Sequence, residues 1–316
     1  MTSDQTVNAV KERGFANAGP LALSPEDTRE FSTLAEQIFR QMPADHPHYL
    51  ASKTGGEGFR GVPEHSARLA ELLNRVVSAP AVREVLTSLL GNSYKLWQID
   101  FRRSSPGDPG LYLHQDAPGQ LNIALLLSDN PTGAGATIFF PGSHRFVRRM
   151  KEMGVTIPPS LIRLAEFCFA PVSGKAGDLA FFLNRTWHGR FGNRTNQSFD
   201  VILIGFFPAG GRMGFSKPYV TWSPELLASL AGTELGRLLD PSSDAALQAD
   251  GLYQVLPKAG DANPEVSFAL GLERDIQTRP MSAGERFTIG SLRMAMSAIG
   301  LASRGLRVLG LRTAAQ

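Results

Sequence analysis

The sequence predicts a mainly β protein with helical additions, built on a double-stranded β-helix (jelly roll, cupin-like) core. Seven strand signals crowd the middle of the chain, at 94–101, 111–114, 120–127, 136–140, 167–172, 179–183 and 199–207. Gly, Pro, Asn or Asp turns separate most of them, which favours antiparallel neighbours. Many short antiparallel strands must also hide their edges, and two sheets folded face to face do so.

The elements around this core follow in order. Ser24-Pro25-Glu26-Asp27 opens a helix with Ser as N-cap and Pro in the first turn, and Phe31, Leu34, Ala35, Ile38 and Phe39 give it one apolar face over about 25–41. Residues 51–61 are glycine-rich, yet no Gly-Lys-Ser/Thr closes the run, so a phosphate-binding loop is a poor reading and a mobile loop is expected. Residues 64–90 read as two helices broken at Ala79-Pro80, each with an apolar face that can lie on the outside of a sheet. Segment 150–164 reads as a surface excursion with a short helix. Beyond Phe207 the pattern weakens: short helices are expected at 224–230 and 234–239, and 241–283 carries turn residues with little periodicity. Residues 286–312 are helix-like and basic, with Arg293, Arg304, Arg307 and Arg312 and no acid after Glu285, so this tail can rest on an anionic membrane surface or on a partner subunit. The expectation is one domain over 1–316: a helical N-terminal part at about 24–91, a jelly-roll core at about 94–208, and a loop and helix extension at about 209–316.

Composition narrows the class. With 42% hydrophobic and 19% charged residues over 316 positions, the chain is ordinary globular protein and not a disordered one. A net charge of +3 with scattered Lys and Arg does not point to nucleic acid. The single cysteine, Cys168, excludes an intramolecular disulfide, is read as a buried free thiol, and fits a reducing, cytoplasmic compartment. No run of about 18 apolar residues suggests a membrane span, and the acid-bearing first thirty residues do not read as a signal peptide.

The chemistry centres on Leu111-Tyr112-Leu113-His114-Gln115-Asp116. In a strand with period two, His114 and Asp116 leave the same face and can close on one metal ion, while Gln115 points away. His188 ends a later apolar run and supplies a third ligand. Two histidines and a carboxylate suit non-haem Fe(II) with open positions for substrate and oxygen. One His-x-Asp pair alone is weak evidence, because an Asp bonded to a half-buried His gives the same spacing.

The surrounding order is more specific. After the pair come a strand, then Pro141-Gly142-Ser143-His144, then Gly177-Asp178 leading into another strand, then His188-Gly189 and Asn193-Arg194-Thr195. Over roughly 94–208 this order resembles the phytanoyl-CoA dioxygenase-like family of Fe(II)/2-oxoglutarate oxygenases. The resemblance implies the jelly roll, Fe(II) held by His114, Asp116 and His188, and 2-oxoglutarate and O2 as co-substrates. Related halogenases replace the carboxylate ligand with a small residue, so Asp116 favours hydroxylation or another oxidation. His144 and Asp178 read as turn residues, and Trp187 as packing.

One position departs from the family. The far carboxylate of 2-oxoglutarate needs a cation, and relatives usually place an arginine eleven residues after the second histidine, where this chain has Phe199. Arg194 is the first choice to replace it, with Arg190, Arg102 (or its neighbour Arg103) and Asn122 as further cofactor-binding candidates. The implied activity is a dioxygenase that hydroxylates, or otherwise oxidises, an unactivated C–H bond of a small-molecule metabolite, anionic ones among the candidates. Phe199 keeps open a cupin-like metalloenzyme that does not use 2-oxoglutarate, and a binding protein with a vestigial site stays open too. For substrate access, loops 51–61 and 210–219 are expected to flank the barrel mouth, with Phe59, Arg60, Arg212 and Lys217 offering an aromatic and basic surface.

Overall fold

The computed structural model describes residues 1–51, 56–92, 94–116, 119–146, 157–208, 222–239, 268–291 and 294. The chain opens with α1 (Ser3–Arg13), started by a reciprocal cap in which the Thr2 hydroxyl accepts from the Gln5 amide and the Gln5 side chain accepts from the Thr2 amide. It then enters β1 (Phe15–Pro20). Neither element was expected, because Phe15-Ala16-Asn17-Ala18-Gly19-Pro20 lacks the β-branched residues and alternation that signal a strand. Tertiary pairing makes this strand. The helix α2 (Pro25–Gln41) has the expected bounds and the Ser24 cap, whose hydroxyl accepts from the Asp27 amide at 3.0 Å.

Two short strands follow, β2 (Tyr49–Leu50) and β3 (Glu57–Arg60), then a 3₁₀ turn at Val62–His65 and the helices α3 (Ala67–Ser78) and α4 (Pro80–Leu90), which break where the sequence places the break. The remaining strands are β4 (Tyr94–Ser104), β5 (Leu111–His114), β6 (Leu121–Leu126), β7 (Thr137–Phe139), β8 (Ala170–Pro171), β9 (Asp178–Leu183), β10 (His188–Arg190) and β11 (Phe199–Pro208). They form a seven-stranded sheet ordered β1-β9-β6-β11-β4-β3-β2 and a four-stranded sheet ordered β5-β10-β7-β8, paired antiparallel throughout. This is the double-sheet jelly roll.

Burial explains why the central strands of the large sheet read as continuous apolar runs. On β6, Leu121, Ile123 and Leu125 join the core under the helices, while Asn122, Ala124 and Leu126 face the space between the sheets. On β11, Ile202, Ile204 and Phe206 face the helices, and Phe199, Val201 and Leu203 face that space. The helical cover is α1 to α4, whose buried Val10, Phe31, Leu69, Leu72, Leu73, Val82, Val85 and Leu86 belong to the same core. Each such side chain contributes about 1.5–3 kcal/mol over leaving it in water, so the N-terminal helices are integral to the domain.

Several expectations change. The strand expected at 167–172 shrinks to β8, because Glu166–Cys168 form a 3₁₀ turn and Pro171 has no amide to extend a ladder. Phe167 is left 90% exposed, and Cys168 is a free thiol but half-buried. In the glycine-rich stretch, β3 is an ordered strand paired with β2 and β4, and Phe59 is fully buried against Phe101 with ring centroids 5.2 Å apart. Phe59 therefore offers no aromatic surface to a substrate. Residues 52–55 and all of 210–219, with Arg212 and Lys217, lie outside the described residues. The short helix in the surface excursion is α5 (Pro159–Leu164). Past β11, α6 (Pro224–Ser229) and α7 (Glu234–Leu239) answer the two expected helices, and α8 (Phe268–Thr278) appears where none was expected. Residues 283–291 are helical, with Glu285 buried and held by Arg279 at 3.0 and 3.2 Å. Arg293, Arg304, Arg307 and Arg312 of the basic tail lie outside the described residues. Among the described residues, no helix is long and apolar enough to cross a membrane.

The turn Pro141-Gly142-Ser143-His144 ties α1 to the small sheet. Ser143 accepts from the Trp187 amide at 2.9 Å, and the fully buried His144 lies 3.1 Å from the Lys11 carbonyl through Nε2, which donates, while its Nδ1 is buried without a partner. His144 is thus a structural turn residue. Burial pulls its pKa down to about 4, with the Lys11 bond opposing. A histidine whose folded pKa is depressed supports the fold above its unfolded value near 6.5 and loses that support as pH falls toward about 4. The span corresponds to roughly 3 kcal/mol. Urea melts between pH 7 and pH 4 should show a shallower acid loss in His144→Gln than in the wild type. Parallel curves would remove His144 from the acid response.

Candidate metal centre

The small sheet sets the two histidines side by side. His114 ends β5, His188 begins β10, and the two are direct partners in the ladder, with ring centroids 4.3 Å apart. Each ring is oriented by its own strand: Nδ1 of His114 donates to the Tyr112 carbonyl at 3.0 Å, and Nδ1 of His188 donates to the Thr186 carbonyl at 2.7 Å. With the proton held on Nδ1, each Nε2 keeps its lone pair for a ligand. Asp116 lies two residues beyond the end of β5, outside the ladder, where its amide donates to the Asn184 carbonyl at 3.0 Å. Its carboxylate stands 3.3 Å from His188 Nε2 and 3.8 Å from His114 Nε2.

The candidate ligand atoms of His114, Asp116 and His188 all lie within 4.8 Å of one another, and among the described residues no other three acidic, His or Cys side chains do so. This set fits a divalent metal. Burial, reinforced by the neighbouring His188 ring, pulls the His114 pKa down to about 4, so its imidazole is neutral and ready to ligate. For His188, burial alone would lower the pKa, but the hydrogen bond and charge of Asp116 outweigh it and the value is raised.

The trio opens into a cavity of about 400 Å³ between the sheets, lined by Trp97, Gln98, Tyr112, Asn122, Phe182 and Leu203 among others. Gly205 makes room for this wall, since a Cβ there would come within 2.9 Å of Asn122 Oδ1 and closer still to the Trp97 indole. Asn122 faces the cavity with its Oδ1 buried and unpartnered. Arg102, Arg190 and Phe199 line the same cavity. Arg194 does not: it is exposed, in a turn that Asn193 closes by donating to the Ser104 and Gln197 carbonyls and accepting from Thr195. The Asn-Arg-Thr motif is thus built around its Asn and Thr. Gln115 donates to the Arg185 carbonyl, and the buried Trp187 stacks on Phe140 at 5.7 Å, so both have the structural roles expected. Asp178 caps its own turn by accepting from the Lys175 amide at 2.9 Å.

Sequence reasoning missed the acids behind the arginines. Asp100 accepts from Arg102 at 2.9 Å, Asp108 from Arg190 at 2.6 Å, and Asp200 from Arg103 Nε and Nη2 at 2.7 and 2.6 Å. The polar alternation Gln98, Asp100, Arg102 in an otherwise apolar strand was a usable signal for the first. Asp108 sits in a Pro-Gly turn and gave none.

A jelly roll carrying a His-x-Asp…His trio on its small sheet defines a non-haem iron, 2-oxoglutarate-type oxygenase. The chain belongs to the phytanoyl-CoA dioxygenase (PhyH) family, whose family model matches residues 10–199, from the end of α1 to the start of β11. No curated protein matches the sequence at a significant level. Solved structures share the fold at low identity. EctD from S. alaskensis, with 2-oxoglutarate and 5-hydroxyectoine, aligns with a TM-score of 0.53 and 20% identity over 70% of this chain and 80% of its own. HygX from Streptomyces hygroscopicus, with nickel and 2-oxoglutarate, gives 0.52 and 15% over 66% and 87%. The 2-oxoglutarate-dependent epimerase SnoN from nogalamycin biosynthesis gives 0.50 and 17% over 66% and 83%.

Proposed function

We propose that this protein is an Fe(II)- and 2-oxoglutarate-dependent dioxygenase that hydroxylates an unactivated C–H bond of a small metabolite. The observation that carries the reading is the pair of Nε2 atoms freed by their Nδ1 bonds and turned, with the Asp116 carboxylate, toward a cavity of about 400 Å³. Fe(II) bound there supplies oxygen activation with 2-oxoglutarate as reductant. The chain's own part is to hold three ligands, leave positions open, and present the substrate against an apolar wall of Leu111, Phe182, Val201 and Leu203 that keeps water away. SnoN is described as an epimerase, so a shared fold does not fix the outcome of the oxidation. The free thiol at Cys168 supports a reducing, cytoplasmic setting.

Anaerobic titration with Fe(II), with and without 2-oxoglutarate, tests the reading. A visible charge-transfer band that requires both is the expected result. Iron binding without the band would favour a cupin-like metalloenzyme that does not use 2-oxoglutarate, the alternative that Phe199 keeps in view. Absence of iron binding would leave only a binding protein with a vestigial site.

A further inference from the structure

Two guanidinium groups reach the cavity of the metal trio with donors still unspent. Arg190 lies two residues beyond His188 on the same face of β10, so its Cα is about 7 Å further along the strand. It is 8% exposed, and only its Nη2 is committed, to both oxygens of Asp108 at 2.6 Å; its Nε is buried and meets no acceptor. Arg102 comes from the opposite sheet, on the strand that pairs with β11, and spends one hydrogen bond on the fully buried Asp100 at 2.9 Å. Both guanidinium groups line the same cavity as the three candidate ligands. A buried donor without an acceptor is costly until an acceptor joins it.

We propose that Arg190 and Arg102 together seat the far carboxylate of the 2-oxo dicarboxylate, the role that Phe199 cannot fill and that exposed Arg194 does not reach. This rests on the oxygenase reading above. Asp108 and Asp100 act as positioning residues, each holding one edge of its guanidinium and turning the free edge to the ligand. Neutralised in this way, the pair accepts one carboxylate without carrying two uncompensated charges in a closed space. Because both guanidinium groups and the trio line one cavity, a diacid held at the trio by its keto acid end would find its far carboxylate's partners on the same wall.

The test is the charge-transfer band of the anaerobic Fe(II) protein, titrated with 2-oxoglutarate and with 2-oxobutyrate, which has the same keto acid head and no far carboxylate. Arg102→Gln and Arg190→Gln should each raise the Kd for 2-oxoglutarate at least tenfold. Both should leave the Kd for Fe(II) and for 2-oxobutyrate unchanged, and Arg194→Gln should change none of them. Arg102 is the more exposed of the pair, so where Arg190→Gln fails to fold, Arg102→Gln alone decides. Binding of 2-oxoglutarate within twofold of wild type in Arg102→Gln, or a tenfold loss in Arg194→Gln, overturns the seat. A wild-type band with equal affinity for both acids also overturns the seat while the oxygenase reading stands; iron binding with no band for either acid defeats both.

Discussion

His188→Ala is expected to abolish stoichiometric Fe(II) binding, with the loss exceeding about a hundredfold in affinity, the upper range for merely orienting residues around a metal. The effect is the largest foreseen because the ring is buried and both its nitrogens are committed, Nδ1 to the Thr186 carbonyl and Nε2 to the ligand set. His114→Ala should behave alike, since the two rings occupy paired ladder positions. Metal content after reconstitution, read beside thermal melts, separates a lost ligand from a lost fold. A His188→Ala protein that still takes up one equivalent of iron would remove His188 from the site.

The second large effect concerns Gly189, between the second histidine and Arg190. A Cβ there would lie 2.8 Å from the Leu111 carbonyl, 3.1 Å from the Tyr112 carbonyl and 3.3 Å from the Leu113 Cα, all backbone of the strand that carries His114. Backbone cannot swing aside as a side-chain tip can. Gly189→Ala should therefore push β5 away from β10, destabilise the domain by about 1–3 kcal/mol as overpacking does, and loosen the His114–His188 pair. The expected result is a lower unfolding midpoint together with at least tenfold weaker Fe(II) binding, although no ligand has been changed. Wild-type iron affinity in a folded Gly189→Ala protein would show that the strand spacing does not govern the site.

How much of this was legible beforehand differs between elements for physical reasons. The Ser24 cap, the Ala79-Pro80 break and the bounds of β5 and α7 could be read because local chemistry decides them. The metal trio was legible through its residue types and motif order, although Asp116 sits past the strand end and meets the histidines from a loop. What stayed hidden depends on partners far away in sequence. β1 exists because β9 offers it an edge, β3 because β4 does, and neither sequence announces a strand on its own. Arg194 looked suited by motif, yet the Asn193 turn leaves it exposed, whereas Arg190 and Arg102 reach the cavity from strands, Arg102 beside an acid of its own strand and Arg190 beside Asp108 from a segment remote in sequence.

The placement of Asp116 bears on how such a scaffold diversifies. The histidines sit at paired ladder positions, each ring held by a carbonyl of its own strand. Asp116 hangs from a loop, tied to the barrel by a main-chain bond to Asn184 that does not depend on its side chain. Replacement there exchanges the anionic ligand for an open coordination position and leaves the sheet intact. Reactivity can thus be varied at one loop position while the two histidines stay fixed by the sheet.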